Sequence, residues 1–216
     1  AYSLPLPVLF DVARCLEWQG EGYAVRAAYR HGRKLRPGSH RANRFELRIR
    51  DLRGDRGAIE ASLAAIREHG VPNYFGPQRF GREGSNLRRA VAWAGGAAGP
   101  RDRSQRSFAL SAARSHLFNA VLAARVARGD WNRLLPGEAV MLDGRRSFFI
   151  AEPADAALEA RRVAMDVHPS GPLPGRGASP ATGPAREFED SAVAPHADLV
   201  ALLAAERIDH ERRSLR

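Results

Sequence analysis

The stretch that most constrains the fold is GVPNYFGPQRFGREGSN, residues 70–86. Its four glycines and two prolines prevent a helix or a strand from running through it unbroken. Between these breakers lie three aromatic residues, two arginines and three amide residues. Either the loop is a glycine-turned hinge whose rings pack two parts of the protein together, or its rings and guanidinium groups bind unpaired bases and phosphates.

The positive charge of the chain is concentrated in one segment. The formal net charge is +10, and residues 26–56 hold ten arginines and Lys34 against three acidic residues, a net charge of +8. Such a segment can neutralise an RNA backbone at roughly one phosphate per contact, and the alternative is a solvated face of an arginine-rich protein. The basic residues that we predict to contact RNA are Arg33, Lys34, Arg36, Arg41, Arg44 and Arg79.

Alternation of apolar and charged residues predicts a strand over residues 43–50. Phe45, Leu47 and Ile49 would lie on one face and charged residues on the other, which is typical of a half-buried strand. Interleaved polar and apolar residues predict another strand over 23–30, leading into the basic segment.

The rest of the chain is predicted to be mainly helical, with one hairpin. Asp55 is predicted to cap a helix that Gly70 ends, and the Gly-Val-Pro break that follows indicates a boundary between structural units near residue 71. These elements predict an α+β fold. The remaining predictions are helices over 85–93 (capped by Ser85), 107–128, 153–163 (Pro153 in its first turn), 186–193 and 197–207, a hairpin over 139–150 turned at Asp143-Gly144, and a loop over 168–185 that is either mobile or a partner contact.

The composition argues against several classes of protein and site. The apolar runs are too short to span a bilayer, and the seven histidines show no spacing that would hold zinc. The only lysine, Lys34, lies outside any phosphate-binding glycine-rich loop, and no serine nucleophile elbow occurs. The lone Cys15 permits no internal disulfide, is predicted to be a small buried residue, and fits a reducing cytosol. We therefore expect a cytoplasmic protein without a metal or a membrane partner, and we also expect it to be a monomer.

Three parts of the sequence together resemble a known family. They are RKLR at 33–36 with NRF at 43–45, GVPNYFGPQRFG at 70–81, and RDRSQRSF at 101–108 with SAARS at 111–115 and LFN at 117–119. Their order and approximate spacing resemble those of the TruD-type tRNA pseudouridine synthases. The similarity extends from about Tyr2 to Arg216 and weakens after Asp143.

This resemblance implies a fold, an activity and a partner. Residues 1–70 would be part of a pseudouridine-synthase catalytic domain, and residues 71–216 the insertion domain that closes over tRNA. The family isomerises uridine-13 of tRNA to pseudouridine without a cofactor. An asparagine and a phenylalanine in the arrangement N-x-F border its uridine pocket, and Asn43 and Phe45 match these positions. Without the resemblance, Phe45 is predicted to be an ordinary core residue.

The sequence departs from the family at the catalytic residue. The essential aspartate of the family lies in the motif G-x-K-D-[RK]-x-[AG]-x-T-x-Q, which does not occur in these 216 residues. No other aspartate matches, so no catalytic residue is assigned. We expect the chain to be the middle part of a synthase that binds RNA but forms no pseudouridine by itself. The alternatives are a non-catalytic RNA-binding module derived from the same scaffold and an unrelated basic protein associated with ribosomes.

Overall fold

The structure is a computed structural model that describes residues 4–34, 45–152 and 155–216. Contacts between residues group the chain into two compact units, Ala1–Leu52 and Arg53–Arg216. This division rests on contacts alone and does not test the domain boundary expected near residue 71, which stays a prediction.

The first unit contains little regular structure among its described residues. A short 3₁₀ helix, Val12–Glu17, begins at Asp11, whose carboxylate accepts a hydrogen bond from the backbone N–H of Ala13. Two short antiparallel strands follow, β1 (Gln19–Gly20) and β2 (Tyr23–Ala24). The strand predicted over 23–30 is therefore confirmed only for its first two residues. Cys15 is buried, as expected.

The strand predicted over 43–50 is wrong for the part that the structure describes. Residues 45–50 form no strand, and the side chains expected on the buried face are largely exposed: Phe45 by 78%, Leu47 by 81% and Ile49 by 73%. The prediction of Phe45 as a core residue is wrong for the same reason. Alternation gives a segment an apolar face, but a strand also needs a neighbour to pair its backbone groups, and the described residues provide none here. Residues 43–44 lie outside the described ranges.

The second unit contains the long helices and the larger sheets. Its described elements are α1 (Arg56–His69), α2 (Ser85–Ala94), α3 (Arg103–Arg128), β3 (Ala139–Leu142), β4 (Phe148–Ile150), α4 (Ala156–Val163), β5 (Val167–His168), β6 (Ser170–Leu173), α5 (Gly183–Val193), α6 (Ala197–Ala205) and β7 (Glu211–Ser214). Together with the first unit they form an α+β fold, as the sequence predicts.

Aspartate caps set where three of the helices begin. The carboxylate of Asp55 accepts a hydrogen bond from Gly57 N at 2.9 Å, which starts α1 at the predicted position. Asp102 accepts from Gln105 N at 2.8 Å and starts α3 four residues before the predicted start. Asp155 caps α4, so this helix begins at Ala156 and not at the predicted Pro153, which lies outside the described residues.

The helix α2 begins differently from its prediction. Its N-cap is Gly84, in the left-handed conformation with φ of 75°, and no side chain caps the helix. Ser85 is therefore the first helical residue and not the cap. The neighbouring turns place Gly84 where only a residue without Cβ adopts this conformation at low cost.

Two clusters of the hydrophobic core lie along α3, which contacts other helices and β6. The first cluster joins α2, α3 and α6 and includes Ala90, Leu110, Leu117 and Leu203. The second cluster lies beside β7 and comprises Phe118, Leu122 and Leu215, with Phe75, Trp131 and Leu173 packed against it. Ridges of small alanines, such as Ala109 and Ala113, are fully buried and allow the close approach of the helices.

The second unit contains two antiparallel sheets. In the first, the order is β4-β3-β5, with Met141 paired to both Phe148 and His168. The hairpin predicted at Asp143-Gly144 is confirmed. The second sheet pairs β6 with β7, from Ser170 opposite Ser214 to Leu173 opposite Glu211.

The prediction of a loop over 168–185 is wrong for its first part, where strands and buried residues lie, and for residues 183–185, which belong to α5. Gly171 explains part of the error. A Cβ there would lie 2.9 Å from Leu215 and 3.1 Å from Phe118, so the glycine is needed for β6 to approach the core. Pro172 has no backbone N–H to donate. It is tolerated because β6 belongs to a two-stranded sheet, in which the outer edge of the strand pairs with no other strand.

Buried charges connect the second sheet to α5. The Nη2 of Arg212 donates to Glu189 Oε1 at 2.6 Å, and its Nε donates to Ser170 Oγ at 2.9 Å. Backbone N–H of Ser170 also donates to Glu138, which Arg125 contacts from α3 at 3.3 Å. These groups compensate one another, so that each buried charge has a partner.

A half-buried histidine lies beside this network. Burial and the positive charge of Arg212 lower the pKa of His210 to about 4. Arg114 and Arg186 act in the same direction and Glu189 acts against them. Between pH 6.5 and pH 4 the unfolded chain takes up a proton at this residue and the folded protein does not. The folded state is therefore expected to lose stability as the pH falls through this window.

We expect this loss to be about 1–2 kcal/mol, a figure reduced to allow for the partial exposure of the ring. It can be measured by urea unfolding at pH 4.5 and pH 7 for the unaltered protein and for His210→Gln, which cannot be protonated. The unaltered protein should lose more stability than the variant on acidification. Equal losses in both would contradict the prediction.

Candidate nucleic-acid interface

The segment 70–84, which we call the signature loop, is shaped by its glycines. Gly70 ends α1 with φ of 76°, and a 3₁₀ helix runs from Pro77 to Phe80. Gly81 then turns with φ of 79°, and a Cβ there would lie 2.8 Å from Ser85 Oγ. No helix or strand crosses the described loop, in agreement with the pattern of its breakers.

Hydrogen bonds fix the signature loop to α3 and β7. Backbone N–H of Asn73 donates to Leu215 O at 2.9 Å, and its side-chain Nδ2 donates to Ser214 O at 3.0 Å. Asn119 on α3 both accepts from the backbone N–H of Phe75 and donates to the backbone carbonyl of Phe75, each at 3.0 Å. One amide side chain thus satisfies both backbone groups of a residue that lies outside any sheet.

The aromatic residues of the loop differ in what they do. The ring of Phe75 meets that of Phe118 edge-on, with centroids 5.5 Å apart and planes at 78°. Phe75 therefore anchors the loop in the core of the second unit. The neighbouring Tyr74 keeps 41% of its surface exposed, and partial burial raises its pKa. The loop therefore has one ring, Phe75, that packs inside this unit and another, Tyr74, that a partner can reach.

Two guanidinium groups lie against the ring of Phe75. That of Arg79 is 5.0 Å from the ring centroid and donates to Ser111 Oγ at 2.9 Å. That of Arg213 is 4.1 Å from the same centroid, and its Nη2 donates to Asn73 Oδ1 at 2.6 Å. Burial, and then the positive charge of Arg79, lower the pKa of Arg213. Within the described residues neither guanidinium forms an ion pair with a carboxylate.

The structure places the predicted site residues in both units. Arg33, Lys34 and Phe45 are exposed and belong to the first unit, and Arg79 is exposed and belongs to the second. The remaining predicted residues, Arg36, Arg41, Asn43 and Arg44, lie outside the described ranges.

Sequence reasoning missed two residues of this site, Asn119 and Arg213. The LFN motif contained Asn119 without giving it a role. Nothing in the local sequence connects Arg213 to Asn73, 140 residues earlier.

Two kinds of feature are absent from the parts of the chain that the structure describes. No three histidine, cysteine, aspartate or glutamate side chains come close enough together there to hold a metal ion. In the same ranges, no helix has the length and apolar character needed to cross a bilayer.

Comparisons with known proteins agree with the resemblance seen in the sequence. The model of the family "tRNA pseudouridine synthase D (TruD)" matches residues 12–91 and 96–199. The tRNA pseudouridine synthase D of Nitrosococcus oceani is 49% identical over 187 residues, which are 87% of this chain and 52% of that protein. That of Azotobacter vinelandii is 49% identical over 215 residues, covering all of this chain and 60% of that protein. The chain thus spans between half and three fifths of the length of these curated relatives.

A solved structure shows the same fold at low sequence identity. The crystal structure of the putative tRNA pseudouridine synthase D from Methanosarcina mazei superimposes with a TM-score of 0.54 at 16% identity. The match covers 77% of this chain and 57% of that one. The family model covers most of the chain, including the signature loop and all of α3, and the fold agrees with it. This chain belongs to the tRNA pseudouridine synthase D (TruD) family.

Proposed function

We propose that this chain is the RNA-binding part of a tRNA pseudouridine synthase that isomerises uridine-13 of tRNA to pseudouridine. The observation that carries the proposal is the family match, which includes the signature loop that Asn119 and β7 hold in place. In this proposal residues 1–70 belong to the catalytic domain, residues 71–216 form the insertion domain, and the protein acts as a monomer.

The reaction requires the bond between the ribose and N1 of uracil to break and a bond from the ribose to C5 to form, with the C5 proton lost and a proton gained at N1. The family performs it with an aspartate that acts on the nucleoside, and the motif holding this aspartate does not occur in these 216 residues. The residues present would therefore bind and orient the tRNA. Binding and orienting the tRNA accelerate the reaction only if the carboxylate of the catalytic aspartate is also positioned against the uracil base.

Asn43 and Phe45 are proposed to border the uridine pocket. Phe45 is 78% exposed, and a ring in such a residue can offer a face on which an extruded base stacks. An amide such as that of Asn43 can donate to and accept from the edge of the base. The basic residues 33–44 are proposed to hold the backbone nearby.

Two assays test the proposal. The chain is expected to bind tRNA with an affinity that falls steeply with salt, and to release no tritium from tRNA labelled at C5 of uridine. Phe45→Ala should weaken binding of a tRNA with uridine-13 and leave the salt dependence unchanged, because stacking neutralises no phosphate. Salt-insensitive binding would contradict the proposed contact surface. Tritium release by the chain alone would contradict the assignment of catalysis to a residue outside it.

The second candidate function is a non-catalytic RNA-binding module derived from the same scaffold, which the exposed basic residues Arg33 and Lys34 would also suit. The gene distinguishes the two. An in-frame Lys-Asp motif a short distance upstream of the codon for Ala1 supports the synthase, and a start codon at this position supports the module.

A further inference from the structure

Two positive charges meet at the ring of Phe75, Arg79 of the signature loop and Arg213 of β7, and no carboxylate among the described residues pairs with either. The arginines buried elsewhere in the second unit each have an acidic partner: Arg125 contacts Asp130 at 2.9 Å, and Arg212 contacts Glu189 at 2.6 Å. Arg79 and Arg213 have none among the described residues, although both lie against the ring of Phe75.

The environment of Arg213 makes this absence costly. Its side chain is half-buried between Phe75 and Phe118, its Nε is buried without a hydrogen-bond partner, and Arg79 lies on the same ring. A buried charge is expensive unless it is paired, and two like charges beside each other add to the cost. An anion that contacts both guanidinium groups at the edge of the Phe75 ring would reduce both penalties.

We propose that Arg79 and Arg213 form a binding site for one phosphodiester of the tRNA backbone, so that the signature loop contacts RNA in the second unit. This inference rests on the proposed function, because that function supplies the polyanion. Guanidinium groups suit phosphate oxygens through their paired N–H donors. Asn73 and Ser111 hold the two groups in place through the hydrogen bonds already described.

The exposure of the two arginines suits such a contact. Arg79 is exposed, so the phosphate reaches it from solvent, and Arg213 forms the floor of the site. Tyr74, next to the anchored Phe75, keeps 41% of its surface exposed and offers a ring to the nucleotide that carries the phosphate.

The test compares the full chain with three variants in tRNA binding at several salt concentrations. Arg79→Gln removes the exposed charge. Arg213→Lys keeps the charge and loses the planar fork. Arg128→Gln is the control, because Arg128 is also exposed on the second unit and lies 17 residues from Ser111 along α3, about 25 Å away.

Arg79→Gln is expected to weaken tRNA binding about 5- to 8-fold at 0.1 M salt and to reduce the slope of log K against log salt by about 0.7–0.9. Arg213→Lys should keep the slope and bind more weakly than the unaltered chain. Arg128→Gln should change the affinity by less than about 2-fold, since its charge is screened at this distance. Urea unfolding of each variant separates loss of binding from loss of folding.

The outcomes separate this inference from the proposed function. If the unaltered chain binds tRNA and Arg79→Gln behaves like Arg128→Gln, the phosphate site is overturned and the proposed function stands. If the unaltered chain does not bind tRNA, both are overturned. The anion could instead be free phosphate. Urea unfolding with and without inorganic phosphate, at constant ionic strength, tests this possibility. Stabilisation by free phosphate that Arg79→Gln abolishes, with tRNA binding unchanged, would also overturn the contact with RNA.

Discussion

Replacing Arg212 with methionine is expected to lower the free energy of unfolding by about 3–5 kcal/mol. Only 1% of the Arg212 side chain and 6% of that of Glu189 are exposed, and their ion pair measures 2.6 Å. Methionine fills a similar volume, but it leaves the Glu189 carboxylate buried without its positive partner. It also removes the hydrogen bond that Arg212 Nε donates to Ser170 Oγ. The cost therefore comes mainly from the charge left behind and not from lost packing.

Urea unfolding followed by circular dichroism measures this change. The matched control is Arg186→Met, because Arg186 also pairs with an acidic residue of α5, Asp190, at 2.7 Å, but here 35% of the arginine side chain and 56% of the carboxylate side chain are exposed. This control should cost about 0–1 kcal/mol. Adding Glu189→Leu to Arg212→Met removes the orphaned carboxylate and should recover part of the loss. A cost for Arg212→Met no larger than that of the control would show that the buried pair contributes little.

The parts of the fold that were predicted correctly are those that local chemistry decides. Asp55 and Gly70 bound α1 because a carboxylate can accept from the first free N–H groups and glycine can adopt a positive φ, and both effects act within four residues. Gly129 ends α3 in the same way. The Asp143-Gly144 turn lies in the short connection, residues 143–147, between β3 and β4, so it too can be recognised locally.

The wrong predictions concern segments whose structure depends on distant partners. Residues 45–50 alternate as a strand does, but no described strand pairs with them, so the pattern alone does not produce one. Conversely, Gly171 and Pro172 suggested a loop, yet β7, about forty residues later, pairs with this segment and fixes it as a strand. Local propensity is a weak guide wherever tertiary pairing provides the hydrogen bonds.

The candidate site was only partly predictable for the same reason. The aromatic and basic character of the signature loop is visible in its sequence, and the resemblance identifies it as a family motif. Which ring is buried and which is exposed depends on Phe118 and Asn119, on another helix. The second guanidinium on Phe75 comes from β7 at the far end of the chain, where the local sequence ERRS suggests nothing more than a charged surface.

Replacing Arg33, Lys34 and Arg36 together with alanine is expected to weaken tRNA binding about 100- to 500-fold at 0.1 M salt. If each residue neutralises one phosphate, each contributes roughly 0.7–0.9 to the slope of log K against log salt, or about 5- to 8-fold in affinity at this concentration. Three contacts therefore reduce the slope by about 2–3. Arg33 and Lys34 are exposed in the structure, and Arg36 lies outside the described residues.

A control with the same loss of charge decides whether the position of these residues matters. The triple variant of Arg128, Arg145 and Arg146, all exposed on the second unit, also lowers the net charge by three. Fluorescence anisotropy with labelled tRNA, measured from roughly 0.05 to 0.3 M salt, gives both the affinity and the slope of log K against log salt. Equal losses in the two triple variants would mean that the basic segment acts only through net charge.

The same measurement with an unrelated RNA of equal length tests the kind of contact. Phosphate contacts position a protein on a nucleic acid and carry no sequence information, so the first triple variant should lose affinity for both RNAs by about the same factor. Discrimination between the two RNAs must then come from residues that touch bases, for which Phe45 is the exposed candidate in the first unit. A loss confined to tRNA would instead assign base or shape recognition to the basic segment, and the division of roles between these residues would be wrong.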